Sequence, residues 1–155
     1  MNHLSPAFPR GQRIDPVWHD PALYPIHVTV EVRYQDLDPL NHVNNVAMAA
    51  LFETARIKAN RPMREHFQTA TNRTMIISQT LNYLAETHVY PDIDWHIGFG
   101  HIGNSSWVQQ GLAVQGGKPV ACASATLVAT HDGASIPIPE ALRAALLERR
   151  MALPE

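Results

Sequence analysis

The segment from Val46 to about Asn60 limits most strongly what this chain can fold into. It contains no glycine or proline and is rich in alanine and leucine, which favours an α-helix. The apolar residues lie around most of the circumference of such a helix, which indicates burial on nearly all sides. Pro62 is predicted to end the helix, because the residue before a proline is displaced from helical geometry. Other elements must therefore cover this helix.

Most of the remaining chain has the alternation of polar and apolar residues that is typical of strands. Ile26 to Tyr34 alternates in this way and predicts the first strand. Four further strands are predicted, over residues 75–89, 92–103, 107–115 and 118–130. The pair Gly116-Gly117 indicates a tight hairpin between the last two strands. The last strand carries alanines on one face, which would let a helix approach the sheet closely: Ala121, Ala123, Ala125 and Ala129.

The length and composition fit one domain. The chain has 155 residues, of which 45% are hydrophobic, enough for one core of its own. Residues 1–25 are predicted to form a proline-rich arm, because prolines break helices and central strands. Residues 26–139 form the domain, and residues 140–155 a short C-terminal helix with a tail.

Charge, cysteine content and histidine spacing predict which partners, which compartment and which metal sites are not expected. The net charge is -2 with mixed signs along the chain, so neither nucleic acid nor a membrane surface is expected as a partner. Cys122 is the single cysteine, and no signal peptide or long apolar run is visible, which predicts a cytoplasmic protein. No metal site is predicted from the nine histidines: none forms a His-x-x-x-His pair, and His96 and His101 would alternate to opposite faces of a strand.

A helix buried on nearly all sides needs more cover than one face of a five-stranded sheet can give. The simplest source is a second copy of the same chain. We therefore expect a homodimer with its site at the shared interface, and further pairing into a homotetramer stays open.

The run Arg33-Tyr34-Gln35-Asp36-Leu37-Asp38-Pro39-Leu40-Asn41-His42-Val43-Asn44-Asn45, continued by Phe52-Glu53-Thr54-Ala55-Arg56, resembles a family signature. It is similar to the hotdog thioesterases related to 4-hydroxybenzoyl-CoA thioesterase. The branch with a His-Val-Asn-Asn motif, which includes bacterial acyl-CoA thioesterases and plant acyl-carrier-protein thioesterases, is the most similar. The resemblance covers roughly residues 26–139. It implies an α+β hotdog fold, in which an antiparallel sheet of about five strands is wrapped on one long buried helix.

The same resemblance implies hydrolysis of an acyl-CoA or acyl-carrier-protein thioester to a carboxylic acid and a thiol. Asp38, the second acid of the Asp-x-Asp pair, would act as general base or nucleophile, with His42 and Asn45 as hydrogen-bonding partners. A thioester is already reactive, so one carboxylate and a few polar groups are enough to activate water and stabilise the oxyanion. No metal or cofactor is implied, since coenzyme A is part of the substrate.

Each of these residues also has a structural interpretation. Asp38 before Pro39 is a common turn pair, and His42 could be a satisfied interior histidine. Asn44 and Asn45 compete for the N-cap of the helix, so at least one of them is structural. Asp36 is predicted to shape the loop by bonding nearby backbone N–H groups.

Three further residues are candidates for contact with substrate. Ser105 and Ser106 resemble the family's Gly-x-Ser-Ser-aromatic turn and either form that turn or touch the substrate. Met48 stands where this branch has tyrosine, and the loss of a rigid ring predicts a wider apolar wall, because methionine is flexible. Acyl groups larger than acetyl are therefore expected.

Two other functions fit the same resemblance. A non-catalytic hotdog module could bind an acyl-CoA or acyl-carrier protein as a sensor or partner. A hydratase or dehydratase is the third candidate, but the Asp-x-x-x-His-Val-Asn-Asn order is unlike what those enzymes use. Asp38 favours the hydrolase, because a binding module does not need a carboxylate beside an anionic thioester.

Overall fold

A computed structural model of the chain describes residues 13–152. Residues 1–12 of the predicted arm and residues 153–155 of the predicted tail lie outside the described residues. The elements in chain order are β1 (Ile26–Val30), α1 (Asn45–Arg64), β2 (Asn72–Tyr83), β3 (Ile93–Ile102), β4 (Ser106–Gln115), β5 (Lys118–His131), β6 (Ala134–Ser135) and α2 (Glu140–Glu148).

The strands form one antiparallel sheet in the order β1-β3-β4-β5-β2, with β6 paired to β5. One face of the sheet packs on α1, so the predicted antiparallel sheet with a helix is confirmed. The described sheet has six strands instead of about five, because residues 134–135 add a short strand. The hairpin at Gly116-Gly117 is confirmed as well: the φ angles are 58° and 76°, in the left-handed region where glycine has no steric penalty.

The first strand is shorter than predicted, since β1 ends at Val30 and not at Tyr34. Residues Tyr34–Asp36 form a turn of 3-10 helix instead. The backbone N–H of Arg33 donates to Asp36 Oδ2 over 2.8 Å, which bends the chain away from the sheet. A local side-chain acceptor therefore ends the strand where the alternating pattern continues.

The prediction that Pro62 ends the helix was wrong, because α1 continues to Arg64. A proline in the last turn removes one backbone hydrogen bond, and the burial of Met63 at 4% exposure holds that turn against the core. The helix was predicted to be buried on nearly all sides, but a single chain buries only one side of it. On the outer side, Val46 is 81% exposed and Ile57 is 53% exposed. The apolar residues on the outer side have no partner among the described residues of the chain.

The inner side of α1 is fixed to the sheet by one aromatic contact and one amide pair. Phe52 stacks on Trp95 with ring centroids 5.2 Å apart. Gly111 makes room for the Phe52 ring, since a Cβ atom there would lie 2.7 Å from Phe52 Cε2. Asn60 and the fully buried Gln109 exchange two amide hydrogen bonds of 3.0 and 2.8 Å. Together these contacts set the distance of the helix from the sheet and its rotation.

The other face of the sheet is partly covered by the segment before β1. Leu23 and Tyr24 pack there against Leu112 and Cys122. Cys122 is a free thiol, and burial raises its pKa to about 11, so it stays protonated at neutral pH. None of the described helices is long and apolar enough to span a membrane.

We predict that Gly111→Ala destabilises the fold by about 1 to 3 kcal/mol, the usual cost of forcing an extra group into a packed core. The added methyl would press on the Phe52 and Trp95 rings. Gly100→Ala is the matched control, because the nearest atom to its Cβ lies at an ordinary 3.7 Å. Urea unfolding of both variants measures the difference. Equal midpoints would show that the helix does not depend on this close approach.

Candidate functional site

The loop between β1 and α1 is a compact, internally bonded turn. Leu37 and Val43 form an isolated antiparallel bridge, and Asp38 N–H donates to the carbonyl of His42 over 2.8 Å. Asn41 takes a positive φ of 63°, which asparagine tolerates better than most residues. The acidic loop is therefore held in one shape that ends directly at the N-terminus of the helix.

The carboxylate of Asp38 lies half-buried inside this turn. Its Oδ1 accepts the backbone N–H groups of Leu40 and His42, at 2.8 and 3.1 Å. Its other oxygen makes no hydrogen bond to any residue between 13 and 152. One oxygen of Asp38 thus builds the loop, and the other is available to a ligand or a water molecule.

Asp36 has a different environment. It is 4% exposed, and its carboxylate accepts the Arg33 backbone N–H as well as the guanidinium, with the closest guanidinium contact at 2.9 Å. Burial alone would raise the pKa of Asp36, but the hydrogen bonds and charge of Arg33 outweigh it, and the pKa lies below its ordinary value. Asp36 bonds nearby backbone as the sequence predicts, and it does so as an anion at neutral pH.

The competition between the two asparagines is resolved in favour of Asn44 as the N-cap. Its side-chain oxygen accepts the N–H of Ala47 over 2.7 Å. Asn45 is exposed, and its backbone carbonyl accepts a hydrogen bond from the Tyr83 hydroxyl over 3.3 Å. The start of the helix therefore lies beside the end of β2. An open groove runs along this helix start and is lined by Arg33, Gln35, Asp36, Asn44, Asn45, Val46, Ala47 and Ala50.

The side chain of His42 contacts the segment that precedes β3. Its Nε2 lies 3.1 Å from Glu86 Oε2, and its ring meets that of His88 edge-on, with centroids 5.2 Å apart. The three side chains have metal-ligating atoms that all lie within 4.8 Å of one another. No sequence pattern indicated this group, because 44 positions separate His42 from Glu86.

The three candidate substrate contacts do not lie together with Asp38 in one chain. Met48 is 2% exposed and belongs to the core, while Val46, Ala47 and Ala50 line the groove. Ser105 lies in the turn after β3 and Ser106 is the first residue of β4, whereas the acidic loop is bonded through Val43 and Thr87 near the beginning of β3. β3 has 10 residues, so its ends are about 30 Å apart.

Arg56 is a polar residue whose environment the sequence did not reveal. It lies on the inner side of α1 at 5% exposure, with its guanidinium 5.1 Å from the centre of the Phe52 ring. Burial lowers its pKa, and its contact of 3.4 Å with Gln79 Oε1 links α1 to β2. Helical spacing would pair it with Glu53, but these two side chains form no ion pair within 4.0 Å among the described residues.

An antiparallel sheet packed on one long helix, with an acidic loop at the helix N-terminus, defines the class of fold. The family model of the thioesterase-like superfamily matches residues 32–146. The chain belongs to this superfamily.

Known structures resemble this one closely. A Pseudomonas aeruginosa protein is 24% identical with a TM-score of 0.74, over 84% of this chain and 94% of that chain. A thioesterase from Thermus thermophilus, solved with coenzyme A and zinc, is 27% identical with a TM-score of 0.72, over 81% of this chain and 94% of that one.

Among curated proteins, the uncharacterised YsmA of Bacillus subtilis is 27% identical over 77 residues. That match spans 50% of this chain and 52% of the relative, so about half of the relative's length is covered.

We predict that Asp36 contributes to acid-sensitive stability. Its folded-state pKa is below the unfolded value of about 3.9, so the stabilisation is present above that value and is lost as pH falls through the folded pKa. Asp36→Asn should lower the free energy of unfolding by about 1 to 3 kcal/mol at pH 7, and the gap to the wild type should close in acid. Asp92→Asn, which removes an exposed carboxylate, is the control. A gap independent of pH would contradict the charge argument.

Proposed function

We propose that this protein hydrolyses the thioester of an acyl-CoA or an acyl-carrier protein to a free carboxylic acid and a thiol. Membership of the thioesterase-like superfamily supports this reaction, and the Thermus thioesterase in complex with coenzyme A supports this class of substrate. The observation that carries the proposal is Asp38: a carboxylate fixed through one oxygen, with the other oxygen unengaged among residues 13–152.

In the proposed reaction, the free oxygen of Asp38 removes a proton from water as the water adds to the thioester carbonyl. The resulting oxyanion needs hydrogen-bond donors, and the first turn of a helix has N–H groups without partners inside the helix. The N–H of Ala47 already donates to the side chain of Asn44. The backbone N–H groups of Asn45 and Val46 are therefore the candidate hydrogen-bond donors to the oxyanion. Collapse of the intermediate expels the thiolate, which takes the proton back from Asp38. Direct attack by Asp38 on the carbonyl is the nucleophilic variant of the same scheme.

The proposed enzyme is a homodimer. The outer side of α1 exposes Val46 and Ile57, and the edge strand β2 exposes Met75, Ile76 and Ile77 at 50%, 41% and 63%. β2 has 12 residues and pairs only with β5, so its other edge has unpaired backbone groups among the described residues. A second copy paired along β2 would cover the strand edge and bury the outer side of α1.

Dimerisation would also complete the site. In an antiparallel two-fold pairing along β2, the Tyr83 end of one strand lies beside the Asn72 end of the partner strand. The loop with Asp38 would then lie at the same end of the joint sheet as the turn of the partner that contains Ser105 and Ser106. The proposed contacts with substrate therefore come from both chains.

We predict that Asp38→Asn keeps the fold and lowers the rate of thiol release by about a hundredfold or more, the usual contribution of a positioned general base. The asparagine oxygen can still accept the Leu40 and His42 N–H groups, so the variant removes the charge and keeps the loop. Asp36→Asn, assayed where it is folded, is the control and should lose much less. Near-wild-type turnover of Asp38→Asn would remove Asp38 from the mechanism.

The same assay, run across acyl-CoA substrates from acetyl to long-chain and aromatic, defines the substrate. Specificity should rise with acyl size up to at least a medium chain, since each buried methylene contributes about 0.8 kcal/mol. The small residues Ala47 and Ala50 line the groove at the helix start and leave room for such a chain. Preference for acetyl-CoA would contradict this part of the proposal.

We predict that Ile77→Lys dissociates the dimer, because a lysine on a strand edge opposes pairing with another strand. Sedimentation should find the wild type as dimers or larger species and the variant as a smaller species with reduced hydrolysis. Leu147→Lys is the matched control: Leu147 is similarly exposed, at 49%, but lies on α2. A monomeric wild type with full activity would show that one chain contains the whole site.

One observation favours a second function, a module that binds an acyl-CoA without cleaving it. Oδ1 of Asp38 accepts two backbone N–H groups, which is a sufficient structural reason for an acid at that position. Calorimetric binding of acyl-CoA without release of thiol would favour this alternative over the hydrolase.

A further inference from the structure

We propose that His42, Glu86 and His88 bind a divalent transition-metal ion, with zinc the best match, which ties the Asp38 loop to the segment before β3. The three side chains come from two separate parts of the chain, and their ligating atoms lie within 4.8 Å of one another. Two imidazoles and one carboxylate form a ligand set that zinc uses in proteins, with the fourth position left for water.

The local structure explains why Glu86 and His88 lie on the same side. Thr87 between them is 3% exposed, while both neighbours are exposed, so the side chains alternate between the interior and the surface. The carbonyl of Thr87 accepts the N–H of Val43 over 2.7 Å, which brings the segment against the residue that follows His42.

The backbone of this segment is held in place by a buried side chain. Gln115, at 8% exposure, accepts the N–H of His88 over 2.8 Å and donates to the carbonyls of His88 and Pro91 at 2.7 and 2.6 Å. The backbone of His88 is thus fixed by protein contacts alone. A site with a fixed backbone needs only side-chain rotation to bind an ion.

The distance between His42 and Glu86 matches that between two ligands of a metal centre, and side-chain rotation of His88 within the 4.8 Å cluster would complete the site. Two ligand atoms bound to tetrahedral zinc at about 2.0 to 2.1 Å lie about 3.3 Å apart, and His42 Nε2 and Glu86 Oε2 are 3.1 Å apart. An ion pair between these two residues would explain that distance by itself. It would not explain the second imidazole, His88, whose ring lies edge-on to His42 with centroids 5.2 Å apart.

An ion bound here would restrain the Asp38 loop from its outer side. The backbone N–H of His42 donates to Asp38 Oδ1 over 3.1 Å, and its side chain would be fixed by the ion. His42, Glu86 and His88 are positioning residues in this proposal, and the ion takes no part in the hydrolysis described above.

The test measures metal binding on the full chain, produced without a histidine tag and stripped with a chelator. Titration calorimetry should find one zinc ion per chain, and cobalt(II) should give the visible absorption of a site with nitrogen and oxygen ligands. His88→Ala and Glu86→Gln should each weaken binding by at least about tenfold, since loss of even an outer-shell partner costs that much. His101→Ala, which removes an exposed imidazole at the other end of β3, should bind as the wild type does.

Thermal unfolding gives a second reading that does not depend on hydrolysis. Zinc should raise the melting midpoint of the wild type and of His101→Ala but not that of His88→Ala, because a ligand that binds only the folded state stabilises it. Absence of stoichiometric binding would overturn the proposal, as would equal affinity in all variants. Neither result would bear on whether Asp38 hydrolyses thioesters.

Discussion

The packing of Phe52 between Trp95 and the bare backbone of Gly111 is the contact on which the rest of this structure depends. It sets how close α1 comes to the sheet, and the amide pair of Asn60 with Gln109 sets the rotation of the helix about its axis. Because the acidic loop runs directly into the first turn of α1, the position of the helix is also the position of the candidate catalytic group. A substitution that shifts α1 relative to the sheet would therefore also shift the Asp38 loop.

The two acids of the loop divide the structural and chemical roles between them. Asp36 is neutralised by Arg33 and bends the chain out of β1, which makes it part of the scaffold. Asp38 uses one oxygen to close the turn over Leu40 and His42 and keeps the other free of protein partners within residues 13–152. This division explains how a carboxylate can be both rigidly held and chemically available.

A single chain brings together only some of the residues of the proposed site. The loop lies at one end of the sheet and the turn with Ser105 and Ser106 at the other, while β2 and the outer side of α1 expose apolar surface. The helix was expected to be buried on nearly all sides, and one chain buries one side of it. Both facts have the same proposed explanation, a two-fold partner that supplies the missing cover and brings the opposite end of its own sheet to the loop.

The sequence alone determined that the elements with a strong local signal exist: the Gly-free helix, the alternating strands and the hairpin at Gly116-Gly117. The strand predicted over residues 75–89 spans Asn72–Tyr83 instead. It also located the acidic loop, because Asp and Asn at these spacings bond their own backbone. It did not determine the end of β1 or the continuation of α1 past Pro62, since a side-chain acceptor and the burial of Met63 decide those points. The meeting of His42 with Glu86 and His88 was decided only by tertiary structure, because side chains so far apart in sequence become neighbours through the folding of the sheet.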